Sequence, residues 1–354
     1  MPPAKKSTAA SPSPSRVTLR QVALAAGVSA MTVSRAFRND GVIRPAMRER
    51  IHRLAAKLGY APDPHISSVM RAFARQTRPD YRETIAFIGE VVPVPKTFEA
   101  RFLNGARERA ESLGYRIDPF WLQSQRVSFS RLSRQLRNRN VRGLILCPFG
   151  NQPHMHARLN WAHFAAVAVG SSLWKPRINR VQHHHYMGMI LALRSLRRRI
   201  RGKVGLIIST QLHARTQGAY VSSFLTNQSG SSRDLLARVH RYAAWNEAAF
   251  RDWMSRTEPK VILCSQIDEA EQVEAILKKS GAPIGLACLN VPVDLPHLAG
   301  IDQHNEVIGS HALDLVLTEL RHSEFGLPEH PKTLMIEGSW REGTSLDAVA
   351  NRGD

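Results

Sequence analysis

The stretch VTLRQVALAAGVSAMTVSRAFRND, residues 17–40, decides how the amino-terminal part of the chain is read. TLRQ at 18–21 has the form of a capping box, with the Thr18 hydroxyl accepting an N–H of the first turn and Gln21 reaching back. Leu19, Val22, Ala23 and Ala26 then repeat at helical spacing on one face. Gly27 ends that helix, because glycine tolerates positive φ. Ser29 is a good N-cap for a second helix over about Ala30–Arg38, and Val28 is placed to staple onto Val33. The second helix buries Val33, Ala36 and Phe37 and turns Ala30, Met31, Thr32, Ser34, Arg35 and Arg38 outward. Pro45 opens a third helix, whose inner face is Ile51, Leu54, Ala55 and Leu58 and which Gly59 closes. Two short helices joined by a tight glycine turn and braced by a third predict a helix-turn-helix, the geometry that lays one helix in the major groove.

Charge agrees with that reading. The 354 residues carry a formal net charge of +20, and residues 1–82 hold 15 Lys/Arg against 4 Asp/Glu. A compact basic module suggests a polyanion, and nucleic acid is the commonest. The start, MPPAKKSTAASPSPSR, has the composition of a flexible basic tail over 1–16 and no apolar core of a signal peptide. No apolar run reaches the ~18 residues of a membrane span. Three cysteines, Cys147, Cys264 and Cys288, lie far apart, which argues against a disulfide framework or a zinc site and fits a reducing cytoplasm.

From Thr84 onward short apolar runs alternate with helical stretches: TIAFIG, GLILCPFG, FAAVAVGSS, KVGLIIST, KVILCSQ, PIGLACLNV and TLMIEG are the runs. Nearly continuous apolar strands between helices predict parallel sheets covered on both faces, arranged as two α/β lobes with a cleft between them. Open α/β sheets bind ligands beyond the carboxyl ends of their strands. GxSxG, P-loop and strand-linked GxGxxG signatures are absent, so no catalytic residue and no cofactor is assigned. Consecutive His183, His184 and His185 do not make a metal site, and none is assigned.

TLRQVALAAGVSAMTVSRAFRND and RPAMRERIHRLAAKLGYAPD together resemble the DNA-binding headpiece of the LacI/GalR bacterial repressors. The resemblance implies that Ala30, Met31, Ser34 and Arg35 face base edges or adjacent backbone, and that Leu19, Arg20, Ser29, Thr32 and Tyr60 approach phosphates. Ala30 and Met31 are apolar, so they offer thymine-methyl contacts and no hydrogen-bonded base code. With Thr18 and Arg38 flanking them, these residues form the expected DNA surface. The family's hinge corresponds to APDPHISSVMRAFAR, in which Val69, with Met70 beside it, takes the place of the leucine that wedges into the minor groove. Asp63-Pro64 is a strong helix start, and Ile66, Val69, Met70 and Phe73 form a helical stripe suited to pairing with a partner subunit.

The later segments FLNGARERAESLGY, NVRGLILCP, RTQG and IDQHNEVIGSHALDLVLTEL resemble the same family's effector domain, a type I periplasmic-binding-protein fold. The implied effector contacts are Arg215 in RTQG and Trp245 in RYAAWNEAAF. His183 and His184 stand where the family usually has an aspartate that binds sugar hydroxyls. Phe149, Gln266, Asn290 and Gln303 fall at strand ends. Without that aspartate, Arg215 lacks an acidic counterpart, which fits an acidic effector, such as a sugar acid or a phosphorylated sugar, and equally a degenerate pocket. The expected organisation is a tail over 1–16, a helix-turn-helix over 17–62, a hinge over 63–82, a two-lobed effector and dimerisation domain over 83–345, and a polar tail over 346–354. The expected function is a cytoplasmic, homodimeric transcription regulator, a repressor, that binds double-stranded operator DNA under the control of a sugar or an acidic sugar derivative. The alternatives are a metabolite-acting α/β enzyme with an appended DNA-binding module and an effector-independent DNA binder.

Overall fold

The computed structural model describes residues 19–37, 44–58, 60, 83–95, 97–123, 128–149, 155–291 and 294–349. Contacts divide the chain into two compact units, Met1–Tyr81 and Arg82–Asp354. The expected tail over 1–16 and the hinge over 63–82, with Asp63, Pro64, Ile66, Val69, Met70 and Phe73, lie outside the described residues, as do Thr18, Arg38 and Gly59.

In the first unit, α1 (Leu19–Ala26), α2 (Ala30–Phe37) and α3 (Pro45–Leu58) surround a small core of Val22, Ala23, Ala26, Val33, Ala36, Ile51 and Ala55. Gly27 takes φ +64° and closes α1 as a Schellman turn. The Val28 N–H donates to the Ala23 carbonyl at 3.1 Å and the Gly27 N–H to the Leu24 carbonyl at 3.2 Å. One residue on, Ser29 Oγ accepts the Thr32 N–H at 3.1 Å and caps α2. Val28, Phe37, Leu54 and Tyr60 pack on the margin of the core. Leu58 departs from the expected inner face: it is 39% exposed, because α3 ends there and its last turn runs past the two shorter helices.

The second unit runs β1 (Thr84–Gly89), α4 (Phe98–Ser112), β2 (Arg116–Trp121), α5 (Phe129–Asn138), β3 (Gly143–Leu146), β4 (Met155–His156), β5 (Ala165–Val169), β6 (Leu173–Lys175) and β7 (Asn179–His183). It continues with α6 (His185–Arg199), β8 (Val204–Ser209), α7 (Thr210–Arg215), α8 (Ala219–Thr226), α9 (Ser232–Ala237), β9 (Val239–Tyr242), α10 (Glu247–Thr257), β10 (Val261–Cys264) and α11 (Ile267–Ser280). The last elements are β11 (Gly285–Cys288), β12 (Ala299–Asp302), α12 (Asn305–His322), β13 (Thr333–Ile336) and β14 (Ser339–Arg341).

Two six-stranded sheets result, one per lobe. The first has the order β13-β7-β5-β3-β1-β2 and is parallel throughout. The second, β14-β12-β11-β10-β8-β9, is parallel except for its edge pair β12–β14. Each sheet carries an apolar cluster on both faces, which is why its central strands read as unbroken apolar runs. The chain passes between the lobes three times, from β7 to α6, from β12 to α12 and from β13 to β14. α12 packs on the first sheet and on α4. Glycines bring these two helices into backbone contact: a Cβ on Gly105 would lie 1.9 Å from the Glu306 carbonyl oxygen, and one on Gly309 would lie 2.0 Å from that of Phe102.

The carboxyl terminus also differs from expectation. Leu346 is buried in the second lobe's core, and Val349 packs beside it, so residues 346–349 belong to the fold rather than to a polar tail. No helix among the described residues is long and apolar enough to cross a membrane.

Candidate functional site

Helix α2 carries Ala30, Met31, Thr32, Ser34 and Arg35, with Val33 and Ala36 turned into the core. The side chains of Leu19, Arg20, Ala30, Met31, Ser34 and Arg35 lie outside what the structure describes. Ser29 and Thr32 share a hydroxyl–hydroxyl hydrogen bond of 2.9 Å at the start of α2. Tyr60 stands edge-on to Phe37, with ring centroids 5.7 Å apart, which ties the end of α3 to the end of α2. A short helix held this way, with Val33 and Ala36 turned inward, has the geometry that the major groove accepts.

In the second unit a cavity of about 550 Å³ lies between the lobes, at the carboxyl ends of both sheets. The βα units place it there, because the chain leaves each strand at this end and starts the next helix facing the gap. Pro148 follows β3, Gly170 and Ser171 follow β5, Gln182 and His183 end β7, and Gln266, Asn290 and Gln303 follow β10, β11 and β12. Its size lies within the usual range for a small-molecule site.

Five of the eight expected effector contacts line this cavity: His183, Arg215, Gln266, Asn290 and Gln303. Three do not. Phe149 is fully buried in the core of the first lobe, edge-on to Phe129, because the chain turns inward after β3. His184 caps α6, its Nδ1 accepting the Met187 N–H at 3.4 Å. Trp245 packs against Tyr242 and Phe250, at 5.5 and 5.3 Å between centroids, on the outer face of the second sheet.

The floor of the cavity is a chain of polar contacts. Gln303 Nε2 donates to the Leu289 carbonyl at 2.6 Å and to the Tyr220 hydroxyl at 2.9 Å. That hydroxyl meets His185 Nδ1 at 3.0 Å. Desolvation pushes the His185 pKa well down, so the ring is neutral and Nδ1 accepts the tyrosine proton. His183 is only 2% exposed, and burial holds its pKa down at about 3. Neither of its ring nitrogens has a hydrogen-bond partner among the described residues. Gly188 and Gly338 make room for the ring: a Cβ on either would lie 2.5 Å and 3.0 Å from it. His183 therefore sits among all three crossing segments. Asn305, 1% exposed, donates to Asn290 Oδ1 at 3.2 Å, and its own Oδ1 has no partner among the described residues.

Two arginines serve different ends. Arg101 of α4 donates Nε to Glu306 Oε1 at 2.7 Å, Nη2 to Glu306 Oε2 at 2.8 Å, and Nη2 to Asp302 Oδ1 at 3.3 Å. Burial works against its charge, but these carboxylates raise its pKa overall. It fixes the first lobe to the second crossing. Arg215 ends α7 in the second lobe and lies over the Phe98 ring of the first lobe, 5.6 Å from its centroid. Burial lowers the Arg215 pKa, and the nearby Glu99 carboxylate opposes that shift. Burial in turn raises the Glu99 pKa, with Arg215 among the groups that oppose it. The acidic counterpart missing from the sequence reading is thus Glu99, supplied by the opposite lobe. Asp268 and Glu271 also line the cavity, in the first turns of α11, where a helix amino terminus favours acids.

Sequence reasoning missed Phe98, Glu99, Arg101, His185, Tyr220 and Asn305. The first three fall in FEARFLNGARERAES, which reads as an ordinary amphipathic helix. Thr97, whose hydroxyl accepts the Ala100 N–H at 3.4 Å, marks where that helix starts, and such a cap after a strand is the signal that could have found them.

The profile of "Bacterial regulatory proteins, lacI family" matches residues 18–63, the segment that folds into α1–α3. The amino-terminal segment of the chain is thus similar to the lacI-family regulatory proteins. The chain is 26% identical over 144 residues to the "Maltose regulon regulatory protein MalI" of Vibrio furnissii, a match covering 41% of this chain and 98% of that protein. Among solved structures, the transcriptional regulator CelR in complex with cellobiose superposes with a TM-score of 0.58 at 18% identity, covering 93% of this chain and 100% of that one. The lac repressor dimer bound to operator and the anti-inducer ONPF gives 0.55 at 18% identity, covering 94% and 99%. CcpA of Lactococcus lactis gives 0.55 at 13% identity, covering 75% and 99%. At such identities the structural matches establish the fold of the chain alone: an amino-terminal helix-turn-helix followed by a two-lobed α/β domain.

Proposed function

We propose that this regulator is a sequence-specific, operator-binding homodimer that represses transcription from the bacterial cytoplasm, and that a small sugar bound between the lobes controls its hold on DNA. The observation that carries the reading is the cavity of about 550 Å³ at the carboxyl ends of both sheets, crossed by three chain segments. A ligand that touches Arg215 on one lobe and Phe98 and Glu99 on the other would favour one lobe angle over another, and differential affinity of that kind is what shifts a two-state equilibrium. The amides of Gln266, Asn290 and Gln303, the Tyr220 network and the carboxylates Glu99, Asp268 and Glu271 suit a ligand rich in hydroxyl groups. Arg101 is engaged by Glu306 and Asp302, which leaves Arg215 as the place for a carboxylate if the sugar is an acid. The cellobiose bound in the CelR complex agrees with a sugar. In this reading Ala30, Met31, Ser34 and Arg35 meet base edges, while Leu19, Arg20, Ser29, Thr32 and Tyr60 meet phosphates.

The test uses the full-length protein. Selection from a pool of random duplexes supplies the operator. Thermal unfolding with neutral mono- and disaccharides and with sugar acids then identifies the ligand. A ligand at a hundred times its Kd adds about 2.7 kcal/mol, and operator affinity should change in its presence while the sugar is recovered intact. Failure to select any sequence overturns operator binding. Silence across the panel overturns sugar control and favours an effector-independent binder.

A further inference from the structure

The segment RSLRRRIRGK, residues 194–203, spans the last turns of α6 and the loop into β8. It lies at the amino end of the second lobe's sheet, opposite the cavity. Arg197, Arg198, Arg199, Arg201 and Lys203 are all exposed. Lys260, just before β10, joins them: its N–H donates to the Lys203 carbonyl at 2.8 Å, and its side-chain stem passes over Gly202, where a Cβ would lie 2.5 Å from Lys260 Cγ. Arg199 pairs with Glu342 at 2.6 Å, and Arg197 donates to the Asn227 carbonyl. No carboxylate among the described residues stands within ion-pair distance of Arg198, Arg201, Lys203 or Lys260.

A helix carboxyl terminus accounts for some of these cations, since its dipole favours positive charge in the last turn. It does not account for a run that continues past the helix and is joined by a lysine from another strand. Like charges at this density repel one another and favour a polyanionic partner. A second copy of the chain does not fit, because the same face would meet itself cation to cation. Arginines predominate, and the guanidinium fork matches phosphate oxygens in pairs. Tethering to a DNA-reading headpiece also keeps duplex DNA at high effective concentration around this face.

We infer that the basic end of the second lobe binds the phosphate backbone of duplex DNA without regard to sequence, so that the regulator can hold a second stretch of duplex besides the one its headpieces read. The occupant is nucleic acid, and the inference does not depend on the effector in the cavity.

The experiment compares the full-length protein with the R198E/R201E/K203E variant, which leaves the Arg197 and Arg199 contacts in place. A biotinylated random-sequence duplex on beads is loaded with protein, and retention of a second, fluorescent random-sequence duplex is measured. The variant should load within twofold of wild type but retain at least tenfold less of the second duplex. The slope of log retention against log salt should fall by about 2–3, as expected for three lost phosphate contacts. The milder R198Q/R201Q/K203Q variant should lie between the two, and thermal unfolding checks that both variants are folded. Equal retention by wild type and the charge-reversed variant overturns the inference, as does absence of retention by wild type. Binding of polyglutamate that depends on these residues, without any loss of DNA retention, also overturns it and assigns the face to an acidic protein. Selection of an operator by the same variant separates this result from failure of the headpiece reading.

Discussion

A histidine that stays neutral among the segments crossing between the lobes takes up a proton when the chain unfolds. His183 does so from a folded pKa of about 3 against an ordinary value of 6.5. Between those values the unfolded state binds more protons than the folded one, so stability falls as pH drops from about 6.5 toward 3. His185 shifts in the same direction; around His183 the Ile336 backbone and the Asp302 carboxylate oppose the effect of burial, whereas His184 and His304 add to it. Burial raises the pKa of Glu269 and Glu319, which works the other way. The informative quantity is therefore a difference between proteins. The wild-type urea-unfolding free energy should lose about 1.4 kcal/mol per pH unit more than that of His183→Asn within this window, and parallel curves would refute the neutral buried ring. On the DNA side, Arg35→Ala should cost about 1–3 kcal/mol of operator affinity and relax preference at one base position if the residue reads a base, as measured by titration against operator variants. At this scale Arg215 was legible only through the resemblance of RTQG to the family's effector segment, while Gln266, Asn290 and Gln303 were legible as residues just after apolar strands. It was opaque for Phe149 and Trp245, because a place at a strand end does not say whether a side chain turns to the gap or to the core. Arg101 was hidden for another reason: its partners Glu306 and Asp302 lie 205 and 201 residues away in the chain.

Helices α4 and α12 meet backbone to backbone through Gly105 and Gly309, and no side chain stands at that crossing to yield. Gly105→Ala should therefore push the helices apart and lower stability by about 1–3 kcal/mol, the usual range for overpacking, readable as a drop in the urea midpoint. Gly114→Ala at a positive φ of 75° with open space around its Cβ serves as a control, since it adds backbone strain without a clash. In the headpiece, Ser29→Ala removes the acceptor for the Thr32 N–H and should cost about 1 kcal/mol. The central strands β1, β3, β5, β8, β10 and β11 were legible as apolar runs because both of their faces are covered. Strands β2, β7 and β9 were not. Two of these are edges, where Pro119 in RIDPFW and the polar positions of VHRY are tolerated, since one side of the strand has no sheet neighbour. β7 reads NRVQH because its alternate side chains serve the gap and the polar anchor of Asn179 on Glu319 rather than the core.

The chain as a whole is two units with separate cores, and the smaller core has few side chains with which to resist denaturation. All six tryptophans, Trp121, Trp161, Trp174, Trp245, Trp253 and Trp340, fall in the larger unit. Urea unfolding followed by tryptophan fluorescence should therefore give a single transition, while far-ultraviolet circular dichroism should show an earlier loss of helix from the headpiece. Coincident curves would mean that the two units unfold together. The two-lobed architecture was legible from strand–helix alternation, but the threefold crossing was not, because it depends on which strand pairs with which. That crossing also bears on how the protein is made. The first lobe receives α12 and β13 only from residues 305–336, after the whole second-lobe sheet except β14 has been synthesised. A ribosome that stops early thus releases a finished operator-reading head attached to a lobe whose apolar face has no cover. Such fragments would compete for DNA while unable to answer any signal, and quality-control proteases would meet them as exposed hydrophobic surface.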